Sequence, residues 1–405
     1  MTAVSQRVLA AVRGQSSAVA KADIVRLTEL SLATVSEHVD LLCESGLLRE
    51  EMLGASSGGR RPKLYGFNPD AGHIVAIDLE STHVRVALTD FGLRIIRSDE
   101  SHEVDVAEGP EVTLCKIRDL VLSVLDAAGV KRPSIKALGI GLPGPVSFSD
   151  GLPSSLSIMP GWENYPVSRF WKQHFDCPSF IDNNVYTMAL GERASDRADT
   201  RETMIFVKIG NGIGAGIVCN GEVFRGATEH AGEIGHTDIG HGGLCYCGNR
   251  GCLDAFAGGR AIAARAEALA REGRSARLAA VLDERGKLTW RDVVKALEEA
   301  DQVAVDVIRD SGIAIGGVLA GLVNFFNPSR IVIGGGVSQV GDVMLAAIRQ
   351  KIYQHALPLT TRRLVVEHSA VGVNAGLIGA AVLALDLTLK DAAVTSERIG
   401  RRAHV

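Results

Sequence analysis

The chain has 405 residues, 46% of them hydrophobic and 22% charged, with a formal net charge of −4. That length exceeds one ordinary core and the balance is that of a folded chain, which excludes an intrinsically disordered protein and points to more than one domain. The small negative charge excludes nucleic-acid binding by bulk electrostatics, so any such contact must be local.

From the N-terminus, MTAVSQRVLAAVRG sets Val4, Val8, Leu9 and Val12 on a helical repeat, and Arg7 and Arg13 interrupt it too soon for a secretory leader. A cytoplasmic protein is expected. KADIVRLTEL (Lys21–Leu30) and LATVSEHVDLLCESG (Leu32–Gly46) predict two more helices, separated by a turn short enough for a helix-turn-helix. LLREEMLGASSGGRRPKLYGFN (Leu47–Asn68) predicts two strands around a glycine-serine tip. Residues 1–70 therefore predict an α+β winged helix-turn-helix domain that binds operator DNA. The third helix would enter the major groove with Ala33, Thr34, Ser36, Glu37 and His38. Arg60 and Arg61, on the glycine-rich tip, suit a narrow minor groove. Paired half-sites require symmetric association, a homodimer or homotetramer.

HIVAIDLESTHVRVALTDFGLRIIRSDE (His73–Glu100) alternates as an antiparallel meander, followed by a helix (Val112–Ala128) and a strand in IKALGIGLPGPV (Ile135–Val146). TMIFVKIGNGIGAGIVCNGEVFRG (Thr203–Gly226) repeats that opening, so two α/β lobes about a cleft are expected. The first takes residues 71–182 plus about 371–390 and the second 183–370, leaving 391–405 as a tail. The segment 261–320 is mostly helical, RIVIGGGV (Arg330–Val337) is a strand and turn, and Val373–Leu387 is an apolar helix. The apolar stretch Ile313–Phe326 is too short and glycine-rich to span a membrane, and no membrane partner is expected.

FIDNNVYTMALGE (Phe180–Glu192) places Asn183 and Asn184 at a strand-to-helix junction, where open α/β sheets bind ligands. Amides orient and hydrogen-bond a ligand but take no proton at neutral pH. Asp182, two residues deeper than Asn184, is the alternative base. Trp162 in MPGW is a core candidate, with stacking on a ligand ring as its other reading.

Seven cysteines, an odd number, argue against a disulfide framework. Three of them, Cys245, Cys247 and Cys252, fall in GHTDIGHGGLCYCGNRGCLD (Gly235–Asp254), where Gly248 and Gly251 let the chain fold back. With His236 they predict one structural zinc site per chain, and His241 and His230 compete for the fourth position.

CYCGNRGCLD, preceded by HAGEIGH (His230–His236), resembles the signatures of the ROK family of repressors, open reading frames and kinases. GLPGPV, MPGW, NNVYTMALGE, GNGIGAGI and IVIGGGV occur in that family's order, from about His73 to about Leu387, and the N-terminal domain resembles its repressor branch. The resemblance implies an actin-like or hexokinase-like (ribonuclease H-like) pair of lobes and a sugar read by Asn183, Asn184, Glu233, His236 and Asp254. Asp254 departs from the family's Glu and is one methylene shorter. Family kinases carry D-x-G-G-T where this chain has DLEST (Asp78–Thr82), so Glu80 would stand against nucleotide phosphates. Their proton-accepting Asp falls on Asn184. A sugar-responsive transcriptional regulator is expected, with no ATP bound and no catalysis. A sugar kinase fused to a DNA-binding domain is the alternative, as is control by a phosphotransferase-system protein.

Overall fold

The computed structural model describes residues 1–51, 62–154, 159–195, 202–336 and 341–402, the last twelve of these as backbone. Helix α1 (Ala3–Arg13) opens where Thr2 Oγ1 accepts the Ser5 amide, 3.1 Å, and buries Val8, Leu9 and Val12. Helix α2 (Lys21–Thr28) ends at Glu29, whose φ of 54° turns the chain into α3 (Leu32–Glu44). Ser31 caps α3 by accepting the Thr34 amide at 3.1 Å, and Val35, Val39 and Leu42 face inward. Strands β1 (Val19–Ala20), β2 (Leu48–Glu51) and β3 (Leu64–Phe67) form an antiparallel sheet in the order β1-β3-β2. Three helices with this small sheet make the winged helix-turn-helix topology.

The rest is built twice on one plan. β4 (His73–Leu79), β5 (Val84–Asp90) and β6 (Ile95–Ser101) form a meander. Helix α4 (Pro110–Ala128) leads to β7 (Ile135–Leu142), parallel to β4. A hairpin, β8 (Val146–Ser147) and β9 (Leu152–Pro153), and a short helix α5 (Val167–Lys172) precede β10 (Ser179–Asn183), parallel to β7. The resulting order is β10-β7-β4-β5-β6. Helix α6 (Asn184–Ser195) crosses to the second sheet, β11 (Met204–Ile209), β12 (Ile213–Cys219) and β13 (Glu222–Phe224). After helices α7 (Asp254–Ala257), α8 (Gly259–Arg271), α9 (Ala276–Arg285), α10 (Trp290–Glu298) and α11 (Gln302–Phe326) comes β14 (Arg330–Gly334). Helices α12 (Asp342–His355) and α13 (Pro358–Thr361) lead to β15 (Val365–His368). Its order, β13-β12-β11-β14-β15, repeats the first sheet strand for strand. Every residue of central strand β11 is buried, as is expected of a strand covered on both faces.

Helix α14 (Ala375–Arg402) joins the parts. It meets its neighbours backbone to backbone: a Cβ on Gly379 would lie 1.5 Å from the Thr187 carbonyl oxygen of α6. One on Gly139 of β7 would lie 1.8 Å from that of Ala380. Further along, Leu385 and Leu389 share one core with Val8, Leu9 and Val12 of α1, and Arg13 pairs with Asp386 at 2.9 Å. Among the described residues, 372–390 is the one helical segment long and apolar enough to cross a membrane, and 61% of its apolar window is buried inside the fold. The segment from 391, expected as a tail, continues α14 as helix to Arg402.

Candidate functional site

The cysteine loop is folded by its own backbone. Isolated bridges Asp238–Cys252 and Leu244–Arg250 close it, and Gly248, at φ 92°, makes a turn whose amide donates to the Cys245 carbonyl at 3.0 Å. Gly232, at φ 95°, passes so close to β12 that a Cβ would lie 1.9 Å from the Ala215 oxygen, which sets the course of the chain into His236. The ligand atoms of His236, Cys245, Cys247 and Cys252 come within 4.8 Å of one another. Nδ1 of His236 lies 3.6 Å from Cys245 Sγ, and Cys247 Sγ lies 3.7 Å from Cys252 Sγ. The competing imidazoles are held elsewhere: His241 Nδ1 lies 3.0 Å from the Ile239 oxygen, and His230 Nε2 3.2 Å from Ser154 Oγ.

Burial pushes the Cys245 thiol up and Cys252 to about 12, whereas the Asn249 amide pulls Cys247 down. A cation among them reverses that preference, because coordination deprotonates a thiol. Three thiols and one imidazole fit a borderline-soft divalent ion in a closed, four-ligand site, which has no open position for catalysis.

Beside this loop lie the residues expected to read a ligand. Asp254 is the first residue of α7, and its Oδ1 accepts the Ile213 amide at 3.0 Å, pinning the glycine turn that precedes β12. Its Oδ2 lies 3.9 Å from Arg260 Nη2, and burial raises its pKa against the pull of Arg260 and His236. Glu233 is exposed, yet neighbouring atoms partly desolvate its carboxyl and raise it, with His236 and His230 opposing. Nε2 of His236, the nitrogen turned away from Cys245, lies 3.1 Å from the Tyr246 hydroxyl. Tyr246 had no sequence signal beyond its place between two cysteines.

In the first lobe, Asn183 donates from Nδ2 to the Gly144 oxygen (2.7 Å) and accepts the Val185 amide at Oδ1 (2.7 Å), an Asx turn that starts α6. Asn184 is buried and donates to the Leu79 oxygen, 3.0 Å, fastening the end of β4. Asp182 is fully buried: Oδ1 accepts the Asn183 amide, 2.8 Å, and Oδ2 pairs with Arg225, which itself lies 3.7 Å from the centre of the Phe148 ring. That commitment leaves Asp182 unsuited to act as a base. Trp162 is wholly buried and donates to the Val106 oxygen at 2.9 Å, so it is core.

The turn after β4, with Glu80 and Ser81, and the glycine turn between β11 and β12 hold each other. Lys208 Nζ of β11 lies 2.7 Å from the Glu80 carboxylate, and Asn211 Nδ2 donates to Ser81 Oγ at 2.7 Å. Trp290 Nε1 donates to Asn211 Oδ1, 3.2 Å. Asp78, two residues before Glu80 and still in β4, is buried with Oδ1 unpartnered, and a Cβ on Gly376 of α14 would lie 2.2 Å from its Oδ2. Burial and then Glu80 raise its carboxyl to about 7 against Lys208 and Arg85.

On α3, Ala33 and Glu37 are exposed and Thr34 and Ser36 half-buried. His38 turns toward α1, with Nδ1 2.9 Å from Ser5 Oγ. Arg60 and Arg61 lie outside the described residues.

Residues 74–387 match the profile of the ROK family. The xylose repressor of Caldicellulosiruptor bescii is 32% identical over 364 residues, 89% of this chain and 90% of that one. The glucokinase of Halalkalibacterium halodurans is 32% identical over 308 residues, 75% of this chain and 92% of its own. The crystal structure of a ROK family transcriptional regulator, a homolog of the E. coli Mlc protein, superposes with a TM-score of 0.76 at 26% identity, covering 97% of this chain and 98% of that one.

Proposed function

The chain belongs to the ROK family, and from that premise we propose that it is a sugar-responsive DNA-binding transcriptional regulator, a repressor of carbohydrate uptake or catabolism genes, whose kinase-like lobes sense a sugar without phosphorylating it. The observation that carries this is the pairing of Glu80 and Ser81 with Lys208 and Asn211, which commits to each other side chains of the two turns where the family's kinases would hold nucleotide phosphates. Two further features support it. The repressor relative matches over 89% of the chain, whereas the glucokinase matches over 75%, about the extent of the family domain. Asn184, at the position of the kinases' base, cannot accept a proton.

In this reading Asn183, Asn184, Glu233, His236 and Asp254 line the sugar site, and His236, Cys245, Cys247 and Cys252 hold one structural zinc ion. The zinc fixes the imidazole through Nδ1, so that Nε2 is held in place toward the Tyr246 hydroxyl and the ligand region beside it. Ala33, Thr34, Ser36 and Glu37, with Arg60 and Arg61 of the wing, contact operator DNA from a cytoplasmic homodimer or homotetramer. Sugar binds the two relative positions of the lobes with unequal affinity, and α14, which starts beside Asp78 and places Leu385 and Leu389 in the core of the winged domain, carries the difference to the DNA.

The test is fluorescence anisotropy of the zinc-loaded protein on a labelled fragment of its own promoter, titrated with D-xylose, D-glucose and N-acetylglucosamine. A change in operator affinity with one sugar, without ATP turnover, is expected. Sugar-dependent ATP turnover would replace this reading with a DNA-tethered kinase. Operator binding indifferent to every sugar would replace it with control by a protein partner, such as a phosphotransferase-system component.

A further inference from the structure

Nδ1 of His236 faces the thiols, 3.6 Å from Cys245 Sγ. A neutral imidazole bound to a metal through Nδ1 carries its proton on Nε2, which then acts as a donor. The group in front of Nε2 is the Tyr246 hydroxyl at 3.1 Å, with the two rings edge to face and their centres 5.1 Å apart. Tyr246 is placed there by the metal loop itself, since its chain neighbours on both sides are ligands. The guanidinium of Arg260 lies 5.0 Å from its ring centre, over the same region as Asp254.

A phenolic hydroxyl donates and accepts one hydrogen bond as a sugar hydroxyl does. Building on the sugar-binding reading above, we propose that Tyr246 stands in for one hydroxyl of the effector and sets the specificity of the site. When no sugar is bound it satisfies His236 Nε2, and a sugar hydroxyl reaches that nitrogen only by exchange with it. Exchanging one hydroxyl for another gains little, so His236 discriminates weakly in the native protein. Removing the phenolic oxygen leaves the donor unmet until a sugar supplies the partner, and discrimination at that one hydroxyl becomes sharp.

The test compares the native protein with Tyr246→Phe, which keeps the ring, by calorimetric titration with D-xylose, D-glucose and their monodeoxy analogues, with zinc content measured on both. The variant should keep its zinc and bind the preferred sugar about fivefold tighter, the worth of one ordinary hydrogen bond. One deoxy analogue that the native protein accepts nearly as well as the parent sugar should be rejected by roughly tenfold more in the variant. In the native protein, nitrogen-15 spectra of labelled histidine should show sugar moving the His236 Nε2 resonance and leaving Nδ1 in place. An unchanged affinity and deoxy profile overturns the inference and leaves the sugar reading standing. Loss of zinc from the variant, with no sugar effect on Nε2 in the native protein, assigns Tyr246 to the loop's fold and also overturns it. Binding of no sugar by either protein overturns both the inference and the reading beneath it.

Discussion

Lys208 Nζ lies 2.7 Å from each carboxylate oxygen of Glu80, joining the second lobe to the first with the two side chains only 9% and 15% exposed. The pair is not symmetric in its surroundings, because Asp78 stands beside it and feels both charges. Removing the lysine leaves two acids facing each other, whereas removing the glutamate leaves Lys208 with Asp78 as a partner. Lys208→Met should therefore cost about 3 kcal/mol, the low end for breaking a buried pair, and Glu80→Gln about 1 kcal/mol. Urea unfolding of both variants measures this, and equal or reversed costs would discard the account.

Asp78 gives the pH dependence. Its carboxyl is raised from 3.8 to about 7, first by burial and then by Glu80. Between those values the folded protein holds a proton that the unfolded chain has released, so this group's contribution falls as pH rises through the window and is lost above it. Asp78→Asn removes the penalty. Its melting temperature should match the native protein's at pH 4 and exceed it at pH 8, and a constant offset across that range would refute the buried, ionising Asp78.

On α3, the helix proposed to meet DNA, the position of His38 separates two kinds of residue. Ser36→Ala and Glu37→Gln should each weaken operator binding by about 1–2 kcal/mol, the range of a lost base or phosphate contact, while leaving the melting temperature alone. His38→Ala should do the reverse, because its Nδ1 is bonded to Ser5 Oγ inside the domain; about 1 kcal/mol of stability is at stake. Anisotropy and thermal melting on the same three proteins decide it. Loss of operator affinity in His38→Ala with native stability would return that residue to the groove.

What could be read from sequence was what lies close along the chain. The cysteine spacing, the helical repeats of α1 to α3 and the recurring meander are all local patterns, and each corresponds to an observed element or cluster. Contacts across the fold were not legible. Glu80 announced that phosphates would be unwelcome, but its partner lies in another lobe, as does Arg225 for Asp182. β1 has two residues, too few to alternate. The polar run after Lys390 looked like a tail because apolar spacing ends there, although the backbone helix does not. Tyr246 was hidden by the very cysteines that flank it, since only the direction of the His236 ring reveals what its second nitrogen meets.

The metal loop offers the last prediction. If three thiolates and His236 hold zinc, binding must expel the protons that burial keeps on Cys245 and Cys252. Each proton released on binding makes the apparent affinity fall about tenfold per unit of acidification. Competition against a chromophoric chelator at pH 6.5 and pH 7.5 should therefore show affinity at least a hundredfold weaker at the lower pH, with about one zinc per chain at saturation. Cys252→Ser should abolish the tight site and, by freeing His236, the sugar response with it. Operator binding should survive, because the winged domain packs on α14 rather than on the metal loop. A zinc affinity indifferent to pH would mean that the thiols are not the ligands. A sugar response that outlasts the loss of zinc would mean that His236 does not need the metal to face its ligand.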